Sequence, residues 1–415
     1  MEAAGPALFR DDRNVDRSDS NCRPPALYDP SYLIAVSDRP MTTVWGTGAN
    51  SPSGLMQRMH SPCVRSTMSI PSLTRENVLA FRQRATYLHR RLPSGRLAEP
   101  AFAGLQDSNP RSAVLALHAR VKDVSPSAWR DPRFVQVWGP RGAVYVVPAH
   151  DVAVFTLGRF PRDPVLASAV RAATEKAKRA FRARQAQPGR KLSNRVAGVN
   201  FHELRIASMT GAVRIVWDGA TTSWSLVEPP PGASELARLE LARRFLRSIG
   251  PSTPREFAWW SGGWAGSFGA STRGELSDAQ QTFRSLEKEL TEVEFEGHKK
   301  WALRTDRSRL ERAVPAETVR LLPAGDPYLA SADRALLVPQ PRFRSELWPK
   351  SVWPGALLLN QELAGSWRRQ VGRVTVRAWR PLEPGVKEAV EEEVSQMPIE
   401  SAKKEVRWST GDVPL

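Results

Sequence analysis

A strongly basic segment in the middle of the chain has the most evident chemical capability. Residues 171–195 contain nine Lys and Arg residues and one acid, Glu175. Basic side chains that meet phosphates release counterions, so such a segment gives sequence-independent affinity for nucleic acid. The alternative, a solvated helix face, usually mixes both charge signs. The predicted phosphate contacts are Lys176, Lys178, Arg179, Arg182, Arg184, Arg190, Lys191 and Arg195.

A polar cluster before residue 110 is the second candidate. Gln106, Asp107 and Ser108 place an amide, a carboxylate and a hydroxyl on consecutive residues, and Asn109 and Pro110 follow. The cluster separates an apolar segment from a new helical pattern. These residue types therefore predict a helix N-cap, with Ser108 or Asn109 as the capping residue.

Composition narrows the class of protein. The 415-residue chain has a net charge of +17, which favours a polyanionic partner. Two cysteines, Cys22 and Cys63, are too few for a disulfide scaffold, and six scattered histidines have no metal-ligand spacing. No Gly-rich phosphate loop or His-Glu-x-x-His helix occurs, so no metal and no cofactor are expected. The sequence contains no membrane-spanning apolar run and no signal peptide, so a cytoplasmic protein is expected. The protein is also expected to be a monomer.

Residues 1–70 are predicted to be a disordered extension. They are rich in Ser, Pro, Asn and Gly, show no hydrophobic period and cannot offset the entropy of ordering. Acids and bases balance within residues 1–67, so the net charge belongs to the later part of the chain. Met68 opens a segment typical of a protein start, and a mis-assigned start codon is therefore a further hypothesis.

The elements that must position these residues repeat along the chain. Three segments, 71–155, 156–232 and 233–310, each predict helices followed by a short hairpin. The predicted helices begin near Thr74, Ser112, Val165, Phe201, Ser234 and Thr253. The predicted hairpins occupy residues 134–147, 212–226 and 293–303. A helix, helix, hairpin order repeated three times predicts three tandem winged helices.

Basic residues near two hairpin turns extend the predicted DNA interface. Arg141 lies in a Gly-Pro-Arg-Gly turn, and Lys299 and Lys300 follow Gly297. The hairpins of winged helices contact the duplex backbone or the minor groove, and Arg suits a narrow groove. Arg141, Lys299 and Lys300 are therefore predicted DNA contacts, with ordinary surface turns as the alternative.

The end of the chain has a different pattern. Short apolar runs at 336–338, 356–359 and 374–376 predict strands, and residues 385–397 predict a closing helix. Residues 311–400 are therefore predicted to form a small C-terminal β domain, followed by a tail at 401–415. The predicted fold class is α+β, with three tandem winged-helix units followed by this β domain.

Five motifs together resemble a known family. They are residues 104–110 with 116–121, residues 141–149, residues 250–257 with 260–262, residues 322–329 and residues 365–369. Over about residues 72–395, their order and spacing are similar to those of the winged-helix DNA-binding family that contains bacterial crosslink-repair DNA glycosylases. The resemblance implies three winged helices and a β domain arranged as a C around a basic channel. It also implies excision of N7-alkylated purines and unhooking of interstrand crosslinks, without a metal or cofactor.

The resemblance assigns candidate catalytic residues. The family motif is a Gln, an apolar residue, then Gln or Asp. Gln106 matches the first position, Asp107 stands at the apolar position and Ser108 at the third, so either Asp107 or Ser108 would supply the second polar group. An N7-alkylpurine is cationic and already a fair leaving group. The enzyme therefore needs only to place a water and to stabilise positive charge on the sugar.

Three functions follow as alternatives. The first is a duplex-DNA-binding protein of this family that grips phosphates with residues 171–195 and the hairpin turns. The second is an active monofunctional glycosylase for N7-alkylated or crosslinked purines that uses Gln106 with Asp107 or Ser108. The third is a transcription regulator, which three tandem units and a β domain fit less well because most regulators use one reading head and a dimer.

Overall fold

A computed structural model of the chain describes residues 70–109, 111–185, 198–219, 221–262, 273–350, 352–401 and 403–409. The helices are α1 (Arg75–Ala85), α2 (Ser112–His118), α3 (Val152–Phe155), α4 (Pro164–Gln185), α5 (Phe201–Ala207), α6 (Ser234–Ile249), α7 (Pro254–Ser261), α8 (Arg273–Ser285), α9 (Arg307–Glu311), α10 (Arg334–Leu337), α11 (Pro341–Leu347) and α12 (Pro384–Ser395). The strands are β1 (Ser72–Leu73), β2 (Leu105–Gln106), β3 (Phe134–Trp138), β4 (Val144–Pro148), β5 (Val213–Trp217), β6 (Thr222–Leu226), β7 (Leu290–Phe295), β8 (His298–Leu303), β9 (Val319–Leu322), β10 (Gly355–Leu359), β11 (Glu362–Gln370), β12 (Arg373–Ala378) and β13 (Glu405–Trp408). The fold is mixed α+β.

Capping residues set where several helices begin. Thr74, Asn200 and Thr253 each accept a hydrogen bond from the backbone N–H of the third helical residue, which satisfies a donor that the helix cannot pair internally. The side chain of that third residue accepts a hydrogen bond from the backbone N–H of the cap residue in return, which completes a capping box. Each cap ends an extended segment and fixes the direction in which its helix leaves.

The three predicted hairpins are present. Strands β3 and β4, β5 and β6, and β7 and β8 pair antiparallel. Two very short strands extend them, since β2 pairs antiparallel with β4 and β1 pairs parallel with β7. The β3–β4 hairpin is covered on both faces, because Val137 and Tyr145 pack with α6 and α7 while Trp138 and Val144 pack with α4 and α5.

The C-terminal sheet has strands at two of the three predicted positions, 356–359 and 374–376, which lie in β10 and β12. It has the order β13-β12-β11-β10-β9. The prediction of a strand at 336–338 is wrong, because residues 334–337 form α10. A short buried apolar run does not distinguish a strand from a helix by its period. The prediction of a tail at 401–415 is also wrong for residues 405–408, which form β13 parallel to β12 and pack Val406 and Trp408 on the sheet.

The hydrophobic cores do not follow the predicted unit boundaries. Val78 and Phe81 of α1 share a core with Phe295 of β7 and with Leu322 and Leu358 of the C-terminal sheet. The first helix of segment 71–155 therefore packs on the third hairpin and the C-terminal sheet. The predicted disordered extension lies outside the described residues, apart from Ile70.

The described residues include neither a membrane-spanning helix nor a cluster of metal-ligating side chains. None of the described helices is both long and apolar enough to cross a membrane. Within the same residues, no three His, Cys, Asp or Glu side chains are grouped so that they could hold a metal ion.

Candidate functional site

Strand β2 places Gln106 at the edge of the β3–β4 hairpin. Gln106 lies directly opposite Tyr145 of β4, and the Asp107 N–H continues the pairing with a 2.8 Å hydrogen bond to the Val144 carbonyl. Gly104 precedes β2 with φ +73°, and a Cβ there would lie 2.9 Å from the Tyr145 ring and 2.7 Å from Phe155. Glycine is therefore required for β2 to approach the hairpin this closely.

The two polar atoms of the Gln106 side chain differ in their contacts. Its Nε2 donates to the Ser108 hydroxyl at 3.1 Å. Its Oε1 is buried and has no hydrogen-bond partner among the described residues. A buried carbonyl oxygen without a partner is costly, so this atom is suited to accept a hydrogen bond from a bound water or substrate.

A loop from the C-terminal part of the chain closes over Gln106. Gly325 has φ +78°, and a Cβ at this position would lie 2.8 Å from the Gln106 Cδ. The next residue, Asp326, forms a bidentate ion pair with Arg120 at 2.7 Å for both contacts, and both side chains are fully buried. Because Arg120 belongs to the turn after α2, this ion pair fixes the Gly325 loop against the candidate site.

Asp107 points to different partners. Its carboxylate accepts hydrogen bonds from the Ala113 N–H at 3.0 Å, from Arg111 at 3.2 Å and from the Gln136 amide at 3.3 Å. Asp107 is fully buried. Burial raises the pKa of its carboxyl to about 6, against the lowering effects of these hydrogen bonds and of the Arg111 charge.

The helix cap differs from the prediction. Neither Ser108 nor Asn109 caps α2, whose N-cap position is Arg111 in the left-handed conformation with φ +66°. The Asp107 carboxylate satisfies the second N–H of α2 instead. This role requires Asp107 to turn toward the helix and away from Gln106.

Gln136 connects this carboxylate to the second hairpin. Its Oε1 accepts from the Trp217 N–H at 2.6 Å, and its Nε2 donates to the Trp217 carbonyl at 3.0 Å. Arg111 lies with its guanidinium 3.7 Å above the Trp129 ring. Sequence reasoning missed both Gln136 and Arg111, although a lone Gln inside the apolar run of β3 is a visible signal of a buried polar contact.

The structure therefore separates the three predicted catalytic residues. Gln106 and Ser108 are adjacent and hydrogen-bonded, two positions apart as alternate residues of an extended segment are. Asp107, between them, is held by Arg111, Gln136 and α2. The pair that can act together on a bound molecule is Gln106 with Ser108.

The predicted phosphate contacts on α4 differ in exposure and pairing. Arg179 and Arg182 are exposed. Lys176 forms an ion pair with Glu203 of α5 at 2.7 Å, and Lys178 forms one with Glu175 at 2.8 Å. The side chain of Arg184 and residues Arg190, Lys191 and Arg195 lie outside the described residues. The count of charges over residues 171–195 did not include Glu203, because this acid lies on α5 and contacts α4 only in the folded structure.

The basic residues near the other hairpin turns are placed differently from expectation. Arg141 is not an exposed tip, because its guanidinium lies over both the Trp259 and the Trp353 ring, 5.0 and 4.9 Å from the ring centres.

Lys300 is also buried, with its Nζ 2.9 Å from the Glu256 carboxylate and 3.8 Å from that of Asp333. Lys299 is exposed, but its Nζ pairs with Glu292 at 2.8 Å. Successive strand residues point to opposite faces of a sheet, so Lys300 lies on the covered face beside Glu256 while Lys299 lies on the other face.

Comparison with known proteins places the chain. A family model described as DNA glycosylase AlkZ-like matches residues 101–398. Among solved structures, Streptomyces sahachiroi DNA glycosylase AlkZ is similar, with a TM-score of 0.63, 17% identity, and coverage of 81% of this chain and 100% of that chain. At this identity the likeness shows the fold. No curated protein matches the chain. The family match spans most of the chain and includes every residue of the candidate site, so this protein belongs to the AlkZ-like DNA glycosylase family.

Proposed function

We propose that this protein is a monofunctional DNA glycosylase that hydrolyses the N-glycosidic bond of N7-alkylated or crosslinked purines in duplex DNA. The observation that supports the proposal is the buried Oε1 of Gln106, which has no hydrogen-bond partner among the described residues. Gln106 lies within the family match and stands where the resemblance puts the first Gln of the catalytic motif. A purine alkylated at N7 carries a positive charge and leaves readily. The protein then has to supply a positioned water and a dipole for the developing cation on the sugar.

Gln106 and Ser108 supply these functions in the proposed reaction. The Gln106 Oε1 accepts a hydrogen bond from the attacking water and directs its negative dipole at the sugar. The Ser108 hydroxyl accepts from the Gln106 Nε2, which fixes the orientation of the amide and leaves the hydroxyl proton available to the water or substrate. Bond cleavage releases the neutral alkylpurine, and the water oxygen bonds to the sugar carbon as its proton leaves to solvent.

Asp107 acts as a positioning residue in this mechanism. Its carboxylate is enclosed by Arg111, Gln136 and the first turn of α2, so it reaches the reaction through the loop that carries Ser108. The alternative is that Asp107 itself activates the water. That role would make the excision rate rise with the ionisation of a group near pH 6, where its pKa lies.

Duplex binding belongs to the same proposal. The tandem winged helices would surround a basic channel, in which exposed Arg179 and Arg182 of α4 face the phosphates. The charge of +17 supports a polyanionic substrate. Phosphate contacts of this kind give affinity without strong sequence preference, as a repair enzyme requires.

The test is excision from a duplex that contains N7-methylguanine, measured as alkali-labile strand breaks. We expect wild-type protein to produce breaks and Gln106→Ala to lose at least about a hundred-fold in rate, the usual effect of removing one polar group that acts in the transition state. Gln280→Ala is the matched control, because Gln280 is an exposed glutamine on α8.

Two outcomes would contradict the proposal. Equal rates of strand breakage by wild type and Gln106→Ala would show that Gln106 takes no part in the reaction. Tight, salt-sensitive duplex binding without any breaks would instead indicate a DNA-binding relative without activity on this lesion.

A further inference from the structure

Two arginines share the same pair of tryptophan rings at the edge of the β3–β4 hairpin. Arg141, in the turn between these strands, lies 5.0 Å from the Trp259 ring and 4.9 Å from the Trp353 ring. Arg334, the first residue of α10, lies 5.8 Å from Trp259 and 5.1 Å from both Trp353 and Trp348. The turn, α7 and α10 therefore bring two guanidinium groups to the same two rings. We call this group of five residues the Arg–Trp cluster.

The positive charge of the Arg–Trp cluster has no carboxylate partner among the described residues. The neighbouring acid, Asp333, already forms a bidentate contact with Arg82 at 3.0 and 2.7 Å and lies 3.8 Å from Lys300. Burial lowers the pKa of both Arg141 and Arg334, and burial together with the charge of Arg141 lowers the pKa of Arg334 to about 10. Two like charges held close together and partly desolvated are unfavourable without an anion.

The Arg–Trp cluster also contains an unused hydrogen-bond donor. The Nη1 of Arg141 is enclosed and has no hydrogen-bond partner among the described residues. Indole faces stabilise guanidinium groups, but they accept no ordinary hydrogen bond in the guanidinium plane. Both arginines and Trp259 are half-buried, so part of the cluster is exposed at the protein surface.

We propose that the Arg–Trp cluster is a binding site for one backbone phosphate of duplex DNA. Guanidinium groups match phosphate oxygens with two parallel N–H donors, and a phosphate would neutralise the pair and satisfy the free Nη1. The β3–β4 hairpin connects the cluster to the candidate active site, because Arg141 lies in the turn that leads into β4, where Tyr145 pairs with Gln106. The proposal rests on the proposed function for its choice of DNA.

The test compares undamaged duplex binding by the full-length chain, its Arg334→Gln and Arg141→Gln variants and the double variant. Glutamine keeps a planar polar head and removes the charge. We expect each single variant to lose about ten-fold in affinity, the effect of one charge-assisted hydrogen bond, and the double variant to lower the salt slope by about one. Arg342→Gln is the matched control, because Arg342 also lies over an aromatic ring, 4.5 Å from Phe343, but is exposed. It should change neither quantity beyond the loss of one surface charge.

Inorganic phosphate distinguishes the two sources of the anion. Phosphate is added at constant ionic strength to wild type and to the double variant, and its binding is measured by the change in tryptophan fluorescence. Duplex affinity that depends on both arginines, with only weak phosphate binding, supports the proposal. Saturable phosphate binding by wild type, together with unchanged duplex affinity in the double variant, overturns it and assigns the site to a free phosphate. Affinity losses equal to that of Arg342→Gln also overturn it. Neither arm measures excision, so failure of the proposed reaction would be seen separately.

Discussion

Asp107 is the residue whose protonation most affects the candidate site. The ordinary pKa of an Asp is 3.8, and burial raises that of Asp107 to about 6. Between these values the folded state holds a proton that the unfolded state has lost, so this group favours folding at low pH. Its contribution is lost as the pH rises through 6, because the buried group then ionises.

The prediction concerns Asp107→Asn, which cannot ionise. From pH 3 to pH 7 the free energy of unfolding of wild type should fall relative to the variant by about 3 kcal/mol, the equivalent of a shift of about two pKa units. Urea unfolding of both proteins at several pH values measures the difference, in which the other carboxyl groups cancel. Parallel pH profiles would show that Asp107 ionises in the folded protein as it does in the unfolded chain.

Gly325 is the second position where one atom matters. A Cβ there would lie 2.8 Å from the Gln106 Cδ, on a backbone with φ +78°. We expect Gly325→Ala to displace the Gln106 amide and reduce excision at least ten-fold, with duplex affinity nearly unchanged. Gly297→Ala is the control, because Gly297 has φ +73° and no atom within 4 Å of its Cβ position. Both variants carry the backbone cost of about 1 kcal/mol, so only a difference between them reports the contact with Gln106. Equal excision rates in Gly325→Ala and Gly297→Ala would show that the contact between Gly325 and Gln106 does not affect the reaction.

At the scale of elements, α4 was predictable and its surroundings were not. The period and charge of residues 165–184 predicted this helix to within one residue of its bounds. The partner of Lys176 is Glu203 of α5, and no local pattern predicts a contact across 27 positions. The sequence likewise predicted the Thr253 cap and all three hairpins, which depend on neighbouring residues. It missed the short strand β2, whose pairing with β4 is a tertiary contact.

The exposed arginines of α4 carry the prediction at this scale. Changing Arg179 and Arg182 to Ala should weaken binding to every duplex sequence and lower the salt slope by about two, one for each lost phosphate contact. The double variant Arg284→Ala/Arg312→Ala is the control, since both arginines are exposed and the loss of charge is the same. Affinity is measured by anisotropy over a range of salt concentrations. Equal effects of the two double variants would mean that Arg179 and Arg182 contribute to binding only through the net charge of the protein.

At the scale of the whole molecule, buried ion pairs join parts that are distant in the sequence. Arg82 pairs with Asp333, Arg91 with Glu393, and Arg120 with Asp326. These pairs connect the first segment to the C-terminal part of the chain, where α1 also shares its core. The repeated helix and hairpin pattern suggested units with separate cores. A local sequence pattern does not reveal contacts between residues that are far apart in the chain. These contacts explain why the hydrophobic cores cross the predicted unit boundaries.

The Arg120–Asp326 pair provides a test of how strongly these ion pairs connect the first segment to the C-terminal part of the chain. Both side chains are fully buried and their contacts are 2.7 Å long, so Arg120→Met leaves an unpaired carboxylate in the interior. We expect this variant to lose about 3–5 kcal/mol in the free energy of unfolding. Arg133→Met is the control, because Arg133 pairs with Asp131 at the same distance, 2.7 Å, but its side chain is 49% exposed. It should cost no more than about 1 kcal/mol.

A second substitution separates the buried charge from the loss of packing. In Arg120→Met/Asp326→Asn the carboxylate is absent, while the Asn oxygen can still accept from the Tyr328 N–H, as Asp326 does at 2.9 Å. The double variant should therefore be more stable than Arg120→Met, because no unpaired charge remains. Its excision rate should stay low, since the Gly325 loop has lost the ion pair that holds it over Gln106. Urea unfolding and the N7-methylguanine assay measure the two effects on the same proteins. Recovery of the rate together with stability would mean that the loop keeps its place without Arg120.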